Sequence, residues 1–212
     1  MSPTNGTEPD RSIDTVRTEA LSDGVFAIAA TLLVLNLEVP SVPRDLADRE
    51  LSRAIAALAP SAVSYVLSFL VILAFWMAHR AIFRHVVHVD RPLSWLNGLF
   101  LMVVAFLPFS TGLFDRYPDE TLAIAVYAGS LALARLILTA VWWYASARRG
   151  LLSDKVPSEH ARFHRLRGLV VSLVFALSIG VAYFNVTAAA VVWVALFVAD
   201  QALLHAKEGG SG

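Results

Sequence analysis

Strongly polar or ionisable side chains recur within otherwise apolar stretches of this sequence: Asp23, His79, Asn97, Arg135 and Asp200. An ionised carboxylate is costly in hydrocarbon, so Asp23 needs a partner or a function there. The carboxylate of Asp23 and the imidazole of His79 could relay protons. Alternatively, Asp23 forms a structural ion pair or hydrogen bond with Arg17, His79 or Asn97, which would offset its desolvation cost.

Common catalytic and nucleotide-binding motifs (GxSxG, HExxH, GxGxxG and the P-loop) do not occur in the sequence, and it contains no cysteine. His79, His85 and His88 could indicate a metal site. However, they lie at the basic end of an apolar run, where histidine also favours a helix terminus or lipid head groups. We therefore expect no catalytic residue, no resident metal and no cofactor. A formal net charge of zero disfavours nucleic acid as a partner.

Hydrophobic residues make up 57% of the 212 positions and charged residues only 16%, a more apolar balance than soluble proteins show. The runs also lack the sustained alternation of membrane β-strands. The sequence therefore predicts an all-α integral membrane protein with six transmembrane helices per subunit. The six apolar runs that approach the length of a membrane helix lie at about 16–39, 54–82, 93–114, 121–146, 167–185 and 187–205.

Basic residues are unevenly distributed among the segments that separate these runs. With the N-terminus inside, 12 of the 17 lysines and arginines fall on the inner side and four on the outer side, while Arg135 lies within a run. Because basic loops stay in the cytoplasm, both termini are predicted to be cytoplasmic. The outer segment 40–53 holds two prolines and mixed charges, which predicts an exposed loop leading into an amphipathic turn.

We expect three parts along the chain. Residues 1–15 form a disordered N-terminal tail, because they are polar and lack an apolar core. Residues 16–206 form the six-helix transmembrane domain. Residues 207–212 form a C-terminal tail that resembles an added linker.

The first run carries an apolar stripe on one helical face. The stripe has the spacing i, i+3, i+4, i+7 and consists of Ile28, Thr31, Leu32 and Leu35. Glu38 follows on the same face, one turn beyond Leu35. From these residues alone, the stripe could face lipid, a protein core or a pore, and packing is the commonest role of such a pattern.

Short motifs of polar and aromatic residues occur in the first three runs. The first run contains Arg17-x-x-x-Leu21-Ser22-Asp23, and the second and third contain Tyr65-x-x-Ser68-Phe69, Phe75-Trp76-x-x-His79, Leu96-Asn97-x-x-Phe100-Leu101 and Leu107-Pro108-Phe109. These motifs resemble those of the transmembrane protein 175 family of potassium-permeable channels, whose signature R-x-x-x-FSD has a phenylalanine at the position of Leu21. The resemblance covers about half of the chain.

The resemblance implies a six-helix subunit that assembles in prokaryotes as a homotetramer, with the first helix of each subunit lining a central pore. It places the pore constriction at Ile28, and the next pore-facing turns at Thr31 or Leu32 and at Leu35. It further implies a polar network that anchors the pore helix and consists of Arg17, Ser22, Asp23, Trp76, His79 and Asn97.

From the resemblance we expect a potassium-selective or potassium-preferring cation channel in the plasma membrane of a prokaryote. Conduction would be passive, and its partners would be potassium ions, the lipid bilayer and other copies of the chain. Stacked apolar rings would replace the TVGYG filter, which is absent, and Glu38 would concentrate cations at the outer mouth. The alternatives are a proton-coupled transporter or proton-permeable channel that uses Asp23 and His79, and a membrane scaffold.

Overall fold

The computed structural model describes residues 12–43, 45, 47–148 and 150–153. This part of the chain is helical and contains one isolated backbone bridge, between Val86 and Leu152, but no strand. The helices are α1 (Ile13–Leu32), which continues into a 3-10 turn at Leu33–Asn36, α2 (Ala47–Ala57), α3 (Ala59–Phe83), α4 (Arg91–Arg116) and α5 (Thr121–Ala147).

Four of these segments are long and apolar enough to cross a bilayer: α1 with its 3-10 turn, α3, α4 and α5, which comprise 24 to 27 residues each. They correspond to the first four predicted runs, so the all-α membrane architecture is confirmed for this part of the chain. The predicted fifth and sixth helices, Asp200 and the segment 207–212 lie outside the described residues.

Helix α1 begins at Ile13, so residues 13–15 belong to the helix and the predicted tail 1–15 is too long. The reason is a capping interaction, in which the Ser12 hydroxyl accepts a hydrogen bond of 3.3 Å from the backbone N–H of Thr15. Asp14 places a negative charge in the first turn, where it interacts favourably with the helix dipole. Residues 1–11 lie outside the described part.

Helix α2 occupies part of the segment 40–53, which was expected to be a loop ending in an amphipathic turn. Its apolar residues Leu51 and Ile55 are four positions apart and therefore share one face. Only Leu58 separates α2 from α3, which has a proline in its first turn. The missing N–H of a proline costs nothing in the first turn of a helix, so α3 starts there as a separate element.

Helix α4 packs against α5 along much of its length, and α1 crosses both α3 and α4. The shared core contains Phe26 and Leu33 from α1 and its 3-10 turn, Phe75 from α3, and Phe100 and Leu107 from α4. A second buried cluster surrounds the connection between α3 and α4 and includes Phe83, Val86, Leu93, Val141 and Leu151. The first cluster holds one narrow face of α1 against the other helices, and the second packs the ends of α3 and α5 and the start of α4 together.

Candidate functional site

The predicted pore-facing stripe lies on the uncovered face of α1. Ile28 is 60% exposed, Leu32 is 42% exposed and Leu35 is 71% exposed, whereas Phe26, Ala29 and Leu33 are buried. An apolar patch of this kind is typical of a surface that meets lipid, another protein or a constricted pore. The structure therefore separates a packed face of α1 from a face that the described part of the subunit leaves uncovered.

Thr31 is the polar residue within this uncovered stripe. Its hydroxyl lies 3.0 Å from the carbonyl oxygen of Ala27 and 2.9 Å from that of Ile28, and it donates its hydrogen to them. A hydroxyl that donates to its own helix keeps acceptor lone pairs on its oxygen. Thr31 thus presents an oxygen acceptor, the chemistry that a cation needs to replace part of its water shell.

The anchoring residues form two hydrogen-bonded groups, of which the first joins α1 to α3. Trp76 donates from its indole N–H to Asp23 Oδ1 over 2.8 Å. The guanidinium of Arg80 lies 4.8 Å from the centre of the Trp76 ring, a cation–π distance. Asp23 thus bonds to Trp76, and the predicted pairing with Arg17, His79 or Asn97 is wrong. The indole N–H thus gives the exposed carboxylate of Asp23 a hydrogen-bond donor that carries no charge.

The second group is buried and joins α1, α3 and α4. Asn97 donates from Nδ2 to the Ser22 hydroxyl over 3.1 Å, and its Oδ1 lies 2.9 Å from His79 Nε2. With the amide in this orientation, Oδ1 accepts and His79 Nε2 must carry the hydrogen. Ser22 in turn donates to the carbonyl of Thr18 over 2.8 Å, so the Ser22 hydroxyl and both polar atoms of the Asn97 amide have partners.

Aromatic rings surround His79. Its ring stacks on Phe83 at a centroid distance of 4.3 Å and on Phe100 at 5.7 Å. The side chain is only 1% exposed. Within the described part of the chain, no three histidine or acidic side chains come close enough to hold a metal. His79 is therefore placed as a packed, hydrogen-bonded residue between two phenylalanines.

Arg17, the first residue of the signature, is exposed. Neither hydrogen-bonded group of the described subunit includes it. Five of the six predicted anchoring residues are thus brought together, in two separate groups, and Arg17 lies apart from both.

Sequence reasoning missed an anchor at the N-terminal end of α1. The carbonyl of Val87, between α3 and α4, accepts from the backbone N–H of Ser12 at 2.9 Å and from the Thr15 hydroxyl at 3.2 Å. The N–H of Val87 donates to the carbonyl of Leu151 at 2.9 Å. The start of α1 is thereby tied, through one residue, to the segment that follows α5. A backbone acceptor carries no residue-type signal, so only the polar Ser12 and Thr15 could have hinted at it.

Sequence reasoning also missed two sets of contacts away from the N-terminal end of α1. Asn36 donates from Nδ2 to the carbonyl of Pro108 over 3.0 Å. A buried polar group joins α3, α4 and α5, in which the Ser68 hydroxyl accepts from Thr111 at 3.1 Å and lies 3.3 Å from the Tyr127 hydroxyl. Ser68 lies in the quoted Tyr65-x-x-Ser68-Phe69 motif, which was the available signal.

Glu38 lies just beyond the 3-10 turn, at the end of α1 opposite Ser12. One carboxylate oxygen is 3.6 Å from Nη1 of Arg116, the last residue of α4, and both side chains are largely exposed. The charge of Glu38 is therefore partly balanced within the subunit. An exposed pair such as this contributes little to stability.

Taken with these anchors, the free face of α1 can form a surface but carries no group arranged for covalent chemistry. From Ile28 to Leu35 its exposed side chains are aliphatic except for Thr31, whereas Arg17 and Asp23 are exposed nearer the start of the helix. Such an arrangement is suited to line a narrow passage or to contact another subunit.

Comparison with known proteins gives consistent matches. The sequence model of the family described as "Endosomal/lysosomal potassium channel TMEM175" matches residues 17–108. A potassium channel of Streptomyces collinus is 39% identical over 173 residues, which cover 80% of this chain and 82% of that protein. The endosomal/lysosomal proton channel TMEM175 of Bos taurus is 34% identical over 143 residues, and the chain spans only 30% of its length.

A solved structure has a similar fold. The crystal structure of a lysosomal potassium-selective channel TMEM175 homolog from Chamaesiphon minutus superposes with a TM-score of 0.76 at 29% sequence identity. The match covers 88% of this chain and 96% of that chain. The likeness therefore extends beyond the signature motifs to almost the entire length of the solved protein.

Proposed function

Because this chain belongs to the TMEM175 family of channels, we propose that it is a potassium channel that conducts passively through a central pore. The observation that carries this proposal is the 39% sequence identity of this chain to a bacterial potassium channel, over 82% of that channel's length. Passive conduction needs no bond-making step, and the protein is not an enzyme.

The pore is formed by α1 from each of four subunits. One helix face cannot enclose a passage by itself, so several copies must meet around an axis. The uncovered Ile28, Leu32 and Leu35, set opposite a buried face, support this arrangement. Around a fourfold axis these residues form stacked apolar rings, with the constriction at Ile28.

Both the width of the constriction and its hydration control conduction. An apolar ring that is narrow enough expels water, and a dehydrated potassium ion cannot cross it. A small outward tilt of α1 rehydrates the passage. The Thr31 oxygen, which already donates its hydrogen to the helix backbone, then replaces part of the ion's water shell and favours the more weakly hydrated potassium over sodium.

The two hydrogen-bonded groups fix the rotation of α1 relative to α3 and α4. Trp76 holds Asp23 on one side, and Asn97 holds Ser22 on the other. Since Arg17 takes no part in either group, we assign it to the interface with a neighbouring subunit. The apolar stripe then faces the axis because the opposite face is fixed.

The subunit has six transmembrane helices with both termini in the cytoplasm, in the plasma membrane of a prokaryote. The distribution of lysine and arginine supports this orientation. The channel domain extends from Ile13, where α1 starts, to about residue 206. The tails on either side take no part in conduction.

Glu38 lies at the outer mouth in this orientation. Four copies would concentrate cations there, and Arg116, at 3.6 Å, moderates the effect.

A proton-permeable channel is the second candidate, favoured by the similarity to a protein named as a proton channel in Bos taurus. A proton-coupled transporter, in which Asp23 and His79 exchange protons, has less support. The two side chains belong to different hydrogen-bonded groups, and His79 is enclosed by phenylalanine rings. Such a path would need a conformational change to connect them.

Flux through liposomes tests these candidates. Purified protein should carry potassium down an imposed gradient, and the voltage at zero current should lie near the potassium equilibrium potential. Flux that requires a proton gradient would indicate a transporter, and a zero-current voltage that follows pH would indicate a proton channel. Absence of any flux in liposomes that contain the assembled protein would indicate a membrane scaffold.

A further inference from the structure

Asn36 is the last residue of the 3-10 turn that ends α1, and its side chain crosses to α4. Its Nδ2 donates to the carbonyl oxygen of Pro108 over 3.0 Å. Pro108 lies inside α4, where its ring displaces the backbone of the preceding turn and its missing N–H leaves one helical hydrogen bond unmade. A carbonyl oxygen has two lone pairs, so the Pro108 oxygen can accept from Asn36 in addition to any helical donor.

Gly112, one turn after Pro108, provides the space for this amide. A Cβ atom at position 112 would lie 2.6 Å from Asn36 Oδ1 and 3.1 Å from Asn36 Cγ. Real Cβ atoms do not approach other atoms so closely, so any other residue at position 112 would displace the side chain. A Cβ at Gly98 of the same helix would have no neighbour within 4 Å. At Gly112, the surface of α4 therefore leaves space for the Asn36 side chain.

The Asn36 side chain extends from the part of α1 where the backbone changes from an α-helix to a 3-10 turn. From Leu33 to Asn36 the backbone follows a 3-10 path, in which successive side chains turn through a larger angle than in an α-helix. Leu33 is fully buried whereas Leu35, next to Asn36, is 71% exposed. A rotation of this turn would therefore move Leu35 directly.

We propose that Asn36 is a positioning residue that sets the direction of Leu35, and with it the width of the outer part of the pore. The assignment to a pore rests on the proposed function. The placement of Leu35 by Asn36 rests only on the contacts with Pro108 and Gly112. Loss of either contact releases the 3-10 turn from α4, and Leu35 then samples a wider range of directions.

A cysteine at position 35 reports this placement without any flux measurement, because the chain has no cysteine of its own. The rate at which a charged thiol reagent modifies L35C in liposomes is compared with the rate in N36A/L35C. Asn36→Ala should change the rate at least about twofold, the coupling expected between groups held in direct contact. Modification of I28C, about two turns away, should proceed at the same rate with and without Asn36→Ala.

Conduction is measured on the same liposomes with Asn36→Ala, Gly112→Ala, the double variant and Gly98→Ala as the control. Asn36→Ala and Gly112→Ala should each alter the potassium-to-sodium permeability ratio. The double variant should match Asn36→Ala, because the alanine at 112 then meets no amide. Gly98→Ala should retain the wild-type ratio.

An unchanged L35C modification rate in the Asn36→Ala background would overturn the positioning role, whatever the flux. A changed rate together with a wild-type permeability ratio would overturn its link to the pore width. A changed rate in a protein that carries no potassium would uphold the placement of Leu35 and overturn the proposed function instead.

Discussion

Trp76 donates its indole N–H to the carboxylate of Asp23 over 2.8 Å, which joins α3 to α1 at the last residue of the signature. Trp76 is itself covered by the guanidinium of Arg80 at 4.8 Å. A positive charge above the ring strengthens the indole as a donor and also balances the carboxylate. Asp23 is thus satisfied without a bonded basic partner.

Trp76→Phe tests this anchor, because phenylalanine keeps an aromatic ring but has no N–H. We expect the free energy of unfolding to fall by about 1 kcal/mol or more, the usual loss for a hydrogen bond to a carboxylate. Thermal unfolding of the protein in detergent measures it. Asp23→Asn in the Trp76→Phe background should add little, and a large further loss would show that Asp23 has another essential partner.

His79→Phe tests the buried group. The new ring can still stack between Phe83 and Phe100, but Asn97 Oδ1 loses its donor. We expect a loss of about 1–3 kcal/mol, because an unsatisfied buried amide oxygen is left behind. Adding Asn97→Leu should recover part of the loss, since both partners are then apolar.

Potassium flux through His79→Phe separates the channel from the transporter. A passive channel continues to carry potassium down its gradient, although less of the protein survives purification. Complete loss of flux in a folded, assembled His79→Phe variant would contradict passive conduction and favour proton exchange at His79.

Thr15→Val tests the anchor at the N-terminal end of α1. Valine has nearly the same shape but cannot donate to the Val87 carbonyl. The expected cost is about 1 kcal/mol in the free energy of unfolding. Thr18→Val is the matched control, because its exposed hydroxyl donates only to the Asp14 carbonyl within the same helix; its effect should stay below about 0.5 kcal/mol. Equal effects of the two variants would rule out a special role for Val87.

The first four membrane helices were predictable from the sequence because length and apolar composition are local properties. The ends were harder to predict. The start of α1 depends on Ser12 as a capping residue within a polar stretch that lacks an apolar pattern. Helix α2 is amphipathic but short and rich in charged residues, so it lacks the apolar composition that marks the membrane helices.

Five of the six residues predicted to anchor α1 form hydrogen-bonded groups, but their pairing could not be predicted from the family motifs. Asp23 bonds to Trp76 rather than to Arg17, His79 or Asn97. Side-chain pairing depends on how helices rotate against one another, which periodicity does not give. Bonds to backbone carbonyls, such as those at Val87 and Pro108, are still less visible because any residue can supply the acceptor.

Glu38 and Arg116 give opposite predictions for current at the outer mouth. Glu38→Gln should lower inward potassium current and Arg116→Gln should raise it, each by about twofold at ~0.01 M salt, where the Debye length is about 30 Å. At about 1 M salt both effects should disappear because the charges are screened. Single-channel recordings at the two salt concentrations measure them. Effects of Glu38→Gln that persist at high salt would indicate a structural role for the ion pair.

Ile28→Asn tests the constriction. Ile28 is 60% exposed on the free face of α1, so an amide there faces the pore axis in the tetramer without disturbing the packed face. Four amides hold water by hydrogen bonding, and the ring no longer excludes it. The potassium leak through liposomes should therefore rise several-fold, with weaker discrimination against sodium.

Leu133→Asn supplies the control for Ile28→Asn. Leu133 is 47% exposed near the middle of α5, so it places the same amide within the membrane but away from α1. Its leak should equal that of the wild type, which separates wetting of the pore from a general effect of a polar residue in the bilayer. A leak that is raised equally by both variants, or by neither, would place the constriction elsewhere on α1. The reason is that only a residue at the narrowest ring changes the water content of the passage.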